Sequence, residues 1–313
     1  MSLEKLHKII NDFSSEIGFV AYGAIPVKNF IKETQFLMQS LELSYNGSMK
    51  YLAGNINIRQ TPRLLLEGAK SIMVFLAPYK PTTRQSPELP QISSYAYGRD
   101  YHPVIKDKLH KVAEKLKENI PGAQYRVFTD SAPIFERAAA EAAGLGFIGR
   151  NTFLISKEHG LHTLIGIIIT TEQLYYNNEV VKNGCGTCTR CLDSCPTGAL
   201  VEQYRLDSRR CISYQTIEDK SLFDEQLLRT DRKGWVFGCE ICLNICPWSK
   251  KGESSKWGEF KPFATHPGKT SISFTPEEWL RMTEEEFNTF FRHSPLKRAG
   301  LFKIKDNIVN SQL

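Results

Sequence analysis

Cys185-Gly-Thr-Cys188-Thr-Arg-Cys191-Leu-Asp-Ser-Cys195-Pro196 reads C-x2-C-x2-C-x3-C-P, and Cys239-Glu-Ile-Cys242-Leu-Asn-Ile-Cys246-Pro247 follows after a lone Cys211. These eight thiols are all the cysteines in the chain. Runs of this spacing hold cubane iron–sulfur clusters, and the fourth cysteine of a run ligates the other cluster of a pair. The rule puts Cys185, Cys188, Cys191 and Cys246 on one [4Fe–4S] cluster. Cys239 and Cys242 hold a second with Cys195, and Cys211 is the thiol left to complete it. Structural zinc pairs two C-x2-C knuckles across a spacer, which fits C-x2-C-x2-C followed by C-P poorly. Disulfides need an oxidising compartment, and Met-Ser-Leu-Glu-Lys-Leu-His is no signal peptide.

Around this segment, 313 residues leave room for a larger domain that the clusters serve. Hydrophobic content of 41% and charged content of 24% are those of a soluble globular protein. The longest apolar run, Leu164-Ile-Gly-Ile-Ile-Ile169, is too short to cross a bilayer, and the expectation is a cytoplasmic monomer with no membrane partner. Net charge is +6, with basic residues gathered at Lys250, Lys251, Lys256 and Lys261 and again at Lys297, Arg298, Lys303 and Lys305. Charge alone reads as a solvated surface and permits a polyanionic partner.

Leu3, Leu6, Ile10, Phe13 and Ile17 have helical periodicity behind a Ser2 cap. Residues 19–24, 71–77, 125–128 and 164–170 read as strands, and Ile105, Leu109, Val112 and Leu116 mark another helix. This alternation predicts an α/β domain over residues 1–175. A ferredoxin-like domain follows over 176–255, then a helical segment over 256–313. In the last stretch Thr275 and Thr283 each precede a glutamate by three residues, as in a capping box.

Thr129-Asp130-Ser-Ala-Pro133 separates a strand from a helix expected to begin at Pro133. Asp130 then sits at the carboxyl end of a strand, where open α/β sheets bind ligands; capping is the bland alternative. Asp130 donates a proton near neutral pH only if desolvation raises its pKa. Gly144-Leu-Gly-Phe-Ile-Gly149-Arg150-Asn151-Thr152 is a glycine-rich turn that is neither a Walker loop nor a Rossmann turn. Tyr97-Gly-Arg-Asp100-Tyr101-His102 gathers titratable side chains before a helix.

Taken together, these stretches resemble the epoxyqueuosine reductases of tRNA modification. The resemblance runs through residues 97–102, 130–137, 146–152, the cysteine pattern with Arg210-Cys211-Ile-Ser-Tyr214, and Phe290-Phe-Arg-His-Ser-Pro-Leu-Lys-Arg298. It implies a nitroreductase-like domain binding cobalamin beside a ferredoxin-like domain with two [4Fe–4S] clusters, and a low-potential external electron donor. The implied substrate is epoxyqueuosine at the wobble position of tRNAs with a GUN anticodon, with basic residues of the C-terminal third on anticodon-stem phosphates. It also implies that Asp130 is the proton donor and that Tyr97, Arg137, Gly149, Asn151 and Thr152 contact the cofactor. A cobalamin-dependent reductive dehalogenase and a ferredoxin-like electron carrier are the alternatives.

Overall fold

Residues 71–77 alternate between two apolar faces, and that alternation builds the centre of the molecule. The computed structural model describes residues 1–176, 179–220 and 232–311. In it Ser71–Pro78 is buried along its whole length, inside a four-stranded sheet of order Ala21–Pro26, Ser71–Pro78, Thr163–Thr170, Tyr125–Phe128. Met73, Phe75 and Ala77 point to one face, where Leu6 and Ile10 of helix Leu3–Glu16 meet Ile105, Leu109, Val112 and Leu116 of helix Tyr101–Asn119. Ile72, Val74 and Leu76 point to the other, against Phe30 and Ala138 to Ala140 of helix Glu136–Ala142. A strand covered on both faces has no polar side to show, which is why its sequence is continuously apolar.

Every ladder in this sheet is antiparallel. Short apolar strands carry no information on direction. The rule placing ligands at carboxyl ends belongs to parallel sheets, so the position of Asp130 has to rest on its contacts.

A third core joins distant parts of the chain. Gln91–Ile92 pairs in parallel with Trp235–Phe237, and Ile92, Ala96 and Tyr97 pack with Val236, Phe237, Trp279, Phe287 and Phe291. Both capping boxes form, at the starts of Pro276–Arg281 and Glu284–Phe290. Helix Leu301–Val309 is tied in by Asn307, which donates to the carbonyls of Thr216 and Val236 at 3.0 and 2.9 Å. In the other direction Trp257 and Phe260 pack into the first core. Residues from the expected first and last segments thus share two of the cores. Among the described residues no helix is long and apolar enough to cross a membrane.

Candidate active site

All eight cysteines are free thiols, and several lie close enough to raise one another. Burial pushes Cys191 up, and so do the thiols of Cys246 and Cys185; Cys246 is raised by burial and by Cys185 and Cys188. Burial likewise raises Cys242, assisted by Cys239, Cys211, Cys195 and Cys191, while Cys239, facing Cys211 and Cys195, is pushed up to about 12. Crowded thiols resist ionisation until a cation joins them, and a coordinating metal deprotonates a thiol outright. Among the described residues no three His, Cys, Asp or Glu side chains converge on one metal ion.

Several bonds clamp this segment to the sheet domain. Lys80 Nζ donates to the carbonyls of Lys250, Lys251 and Gly252 at 3.0, 3.0 and 2.8 Å. Arg150 Nη2 donates to Gly186 O at 2.6 Å, and Asn151 Nδ2 to Cys242 O at 3.3 Å. Phe147 meets Trp248 edge-on at 5.8 Å. Gly252 permits a close approach, because a Cβ there would stand 2.3 Å from His159 O.

At the other side of the Asn151 loop lies Asp130, in a left-handed conformation (φ 57°) that turns its side chain away from the following helix. That helix begins at Glu136, not Pro133, so Asp130 does not cap it. Instead Tyr101 donates its hydroxyl to Asp130 Oδ2 at 2.5 Å. His102 Nε2 stands 3.4 Å from the same oxygen, its Nδ1 2.7 Å from Asp100 Oδ1, and its ring stacks on Tyr101 at 4.1 Å. The Asp130 backbone N–H donates to Glu136 Oε1 at 2.7 Å. Even so, 62% of the Asp130 side chain is open to solvent.

The hydrogen bond from His102, then that from Tyr101, holds the Asp130 carboxyl below its ordinary value although desolvation pushes it up. Desolvation lowers His102, but its bonds to Asp100 and Asp130 outweigh that and lift it to about 9. Burial, then the charge of Asp130, pushes Glu136 up to about 8. The free site therefore holds an Asp130 carboxylate beside a His102 imidazolium, with a protonated Glu136 behind it. Desolvation is present as expected; it does not decide the ionisation of Asp130 here.

The expected site residues are only partly brought together. Arg137, in the same helix as Glu136, donates to the Thr152 carbonyl, so Arg137 and Thr152 flank Asp130, and Asn151 points to the cysteines. Gly149 packs on its own hairpin, where a Cβ would stand 2.5 Å from Ile155 Cδ1. Tyr97 is 6% exposed in the third core, its carbonyl accepting from Ser271 at 2.6 Å. Residue 97 shares a motif with His102, but the turn between them sends the two side chains to different places. Lys303 is also buried, 3.6 Å from Asp306, and unavailable to a phosphate.

Tyr51 and Glu218 had no local signal in the sequence, whereas Arg298 closes one of the stretches of resemblance. Tyr51, Glu218 and Arg298 come from three separate stretches, and Arg298 makes a two-pronged ion pair with Glu218 at 2.5 and 2.7 Å. At the sheet end beyond Asp130, where Phe128 pairs with Ile167 and Pro78 with Thr163, His162 Nδ1 and Thr163 Oγ1 are buried without partners. A cavity of about 190 Å³ lined by His266, Phe274, Arg281, Met282 and Phe290 shares no residue with this cluster.

Comparison with known proteins bears on this arrangement. Residues 59–131 match the family described as epoxyqueuosine reductase QueG, DUF1730, and residues 184–249 match a 4Fe-4S double cluster binding domain. An epoxyqueuosine reductase of Cyclobacterium marinum is 38% identical over 98% of this chain and 97% of its own length. The chain belongs to the epoxyqueuosine reductase family. The Escherichia coli (strain K12) family member is 32% identical over 98% of this chain and 81% of its own. A solved epoxyqueuosine reductase bound to an epoxyqueuosine-modified tRNA-Tyr stem loop superposes with a TM-score of 0.88, at 26% identity, covering 99% of this chain and 81% of that one. The Bacillus subtilis reductase, solved with the loop of its catalytic aspartate swung out of the active site, gives 0.87 at 25% identity over 99% and 82%. The chain is thus an iron–sulfur reductase of this family, and the cysteine segment is its iron–sulfur-binding part.

Proposed function

We propose that the chain reduces the epoxide of epoxyqueuosine in tRNA to the alkene of queuosine, with Asp130 as the acid. The supporting observation is the pairing of an open carboxylate with two proton-bearing neighbours, Tyr101 and His102, one loop away from Cys242. Two clusters fit the eight thiols: Cys185, Cys188, Cys191 and Cys246 on one, Cys195, Cys211, Cys239 and Cys242 on the other. They supply electrons one at a time. Cobalamin would sit at the sheet end beyond Asp130, where His162 and Thr163 keep unpaired polar atoms, and Arg137, Asn151 and Thr152 are the residues that would hold it. When bound, it supplies a metal centre able to collect two electrons and act on carbon.

Epoxide plus two electrons and two protons gives alkene plus water. Asp130 serves the departing oxygen. Groups that cover its exposed side strip away water, and desolvation then raises its pKa at the moment a proton is needed. His102, bonded to the same carboxyl, returns that proton from solvent, and Asp100 keeps the imidazole oriented. The donor is an external low-potential reductant. Anaerobic protein loaded with iron, sulfide and cobalamin, given dithionite and an epoxyqueuosine stem loop, should release a nucleoside one oxygen lighter. An unchanged nucleoside under those conditions removes the proposal.

A further inference from the structure

Residues 44–60 lie ahead of nearly all of both family matches, and they carry two side chains, Tyr51 and Arg59, for which the reduction has no use. Tyr51 is 53% exposed, an unusual place for a large ring unless something covers it. It is nevertheless held still. Its hydroxyl meets Met49 Sδ at 3.2 Å, and Arg298, Asp130 and Glu218 are among the charges that face it. Arg298 is fixed in turn by Glu218 and by Lys220 Nζ, which donates to its carbonyl at 2.6 Å. The loop itself is pinned where the Ser48 N–H donates to Tyr214 Oη at 2.7 Å. Left-handed Ser44 and Asn55, at φ 57° and 54°, bracket it.

Arg59, in the short helix Ile56–Gln60 that follows, has a buried Nε without a partner. Tyr51 and Glu136 are the groups that face it. Sequence-reading proteins take unpaired RNA bases by stacking them on aromatic rings and neutralising their phosphates with arginine. A ring fixed in advance avoids the ordering cost that a mobile one would incur on binding.

We infer that Tyr51 and Arg59 form the receptor for one splayed-out nucleotide, the ring stacking on its base and the guanidinium meeting its phosphate. This rests on the reading of the substrate as a tRNA anticodon loop and adds the side chains that hold it. The experiment measures binding to the loaded, oxidised protein, so that no turnover is involved, using a fluorescent epoxyqueuosine stem loop. Tyr51→Leu should weaken binding about tenfold, within the ~1–3 kcal/mol that one stacked base is worth, whereas Tyr51→Trp should keep the affinity. Arg59→Gln should weaken it and reduce the slope of log affinity against log salt by about one phosphate. Equal affinity of Tyr51→Leu and the parent, equal losses in Tyr51→Leu and Tyr51→Trp, or no binding by the parent, each overturns the receptor. A parent that binds the stem loop without reducing it leaves the receptor standing and removes the proposed activity instead.

Discussion

The cysteine segment and the Asp130 site treat their ionisable groups in opposite ways. Around Cys239 and Cys242 the fold gathers like groups, buries them and supplies no cation, so that burial and mutual repulsion raise the thiols. Around Asp130 it gathers unlike groups, and two donors lower the carboxyl although the protein crowds it. The first arrangement is incomplete until metal arrives. The second is complete at rest and is changed only when a ligand removes its water. Metal sites of the first kind store folding energy in the metal, whereas sites of the second kind can be built, and broken, without it.

The sharpest way to break the contrast is at the thiols. Cys242→Ser should drop the iron content from roughly eight to roughly four per chain and abolish turnover, as metal analysis and the stem-loop assay would show. Full iron with Cys242→Ser would mean that the second group is not a ligand set. Asp130→Asn should do the reverse, leaving iron and cobalamin uptake unchanged while kcat falls by about 10²–10⁴. Loss of cofactor in that variant would make Asp130 a structural residue and dissolve the distinction.

The same contrast explains what could be read from the sequence. Cluster ligands are local, three thiols within seven residues, so their spacing declares them. Capping boxes at Thr275 and Thr283 were legible for the same reason. Asp130 takes its partners from residues 51, 101, 102, 136 and 298, and no spacing rule links such positions. Motif strings also mislead at this scale. Tyr97 and His102 stand five residues apart, yet one fills a core and the other faces the carboxylate. Pro133 looked like a helix start, but left-handed Asp130 opens an irregular turn that delays the helix to Glu136. Strand direction was hidden as well, because burial on both faces gives one apolar pattern whether the neighbours run parallel or not.

Lys80 tests how firmly the two regions are joined. Its ammonium satisfies three carbonyls that cap the turn after Cys246, and charged hydrogen bonds of this kind are worth about 1.5–3 kcal/mol. Lys80→Met should lower Tm by several degrees and slow turnover several-fold, with iron content and stem-loop affinity unchanged. If turnover holds while Tm falls, the clamp serves stability alone.

The smallest expected effect is on stability against pH, and it belongs only to the Asp130 side. His102 has a folded pKa raised to about 9, so its contribution is fully present below its unfolded value near 6.5 and is lost as pH rises through 9. Glu136, an acid raised to about 8, acts in the same direction: its folded form holds a proton that the unfolded chain has already released, so stability falls between about 4.5 and 8. Asp130 works the other way, with its contribution lost as pH falls through its lowered value. The protein should therefore become less stable on going from pH 6 to pH 9. Glu136→Gln keeps an oxygen for the Asp130 N–H but cannot ionise. It should leave Tm at pH 5 nearly unchanged and raise it at pH 9 by about 2–4 °C, in calorimetric scans of cofactor-free protein. An equal shift at both pH values would assign the effect to packing, and Glu136 would then hold no proton for the site.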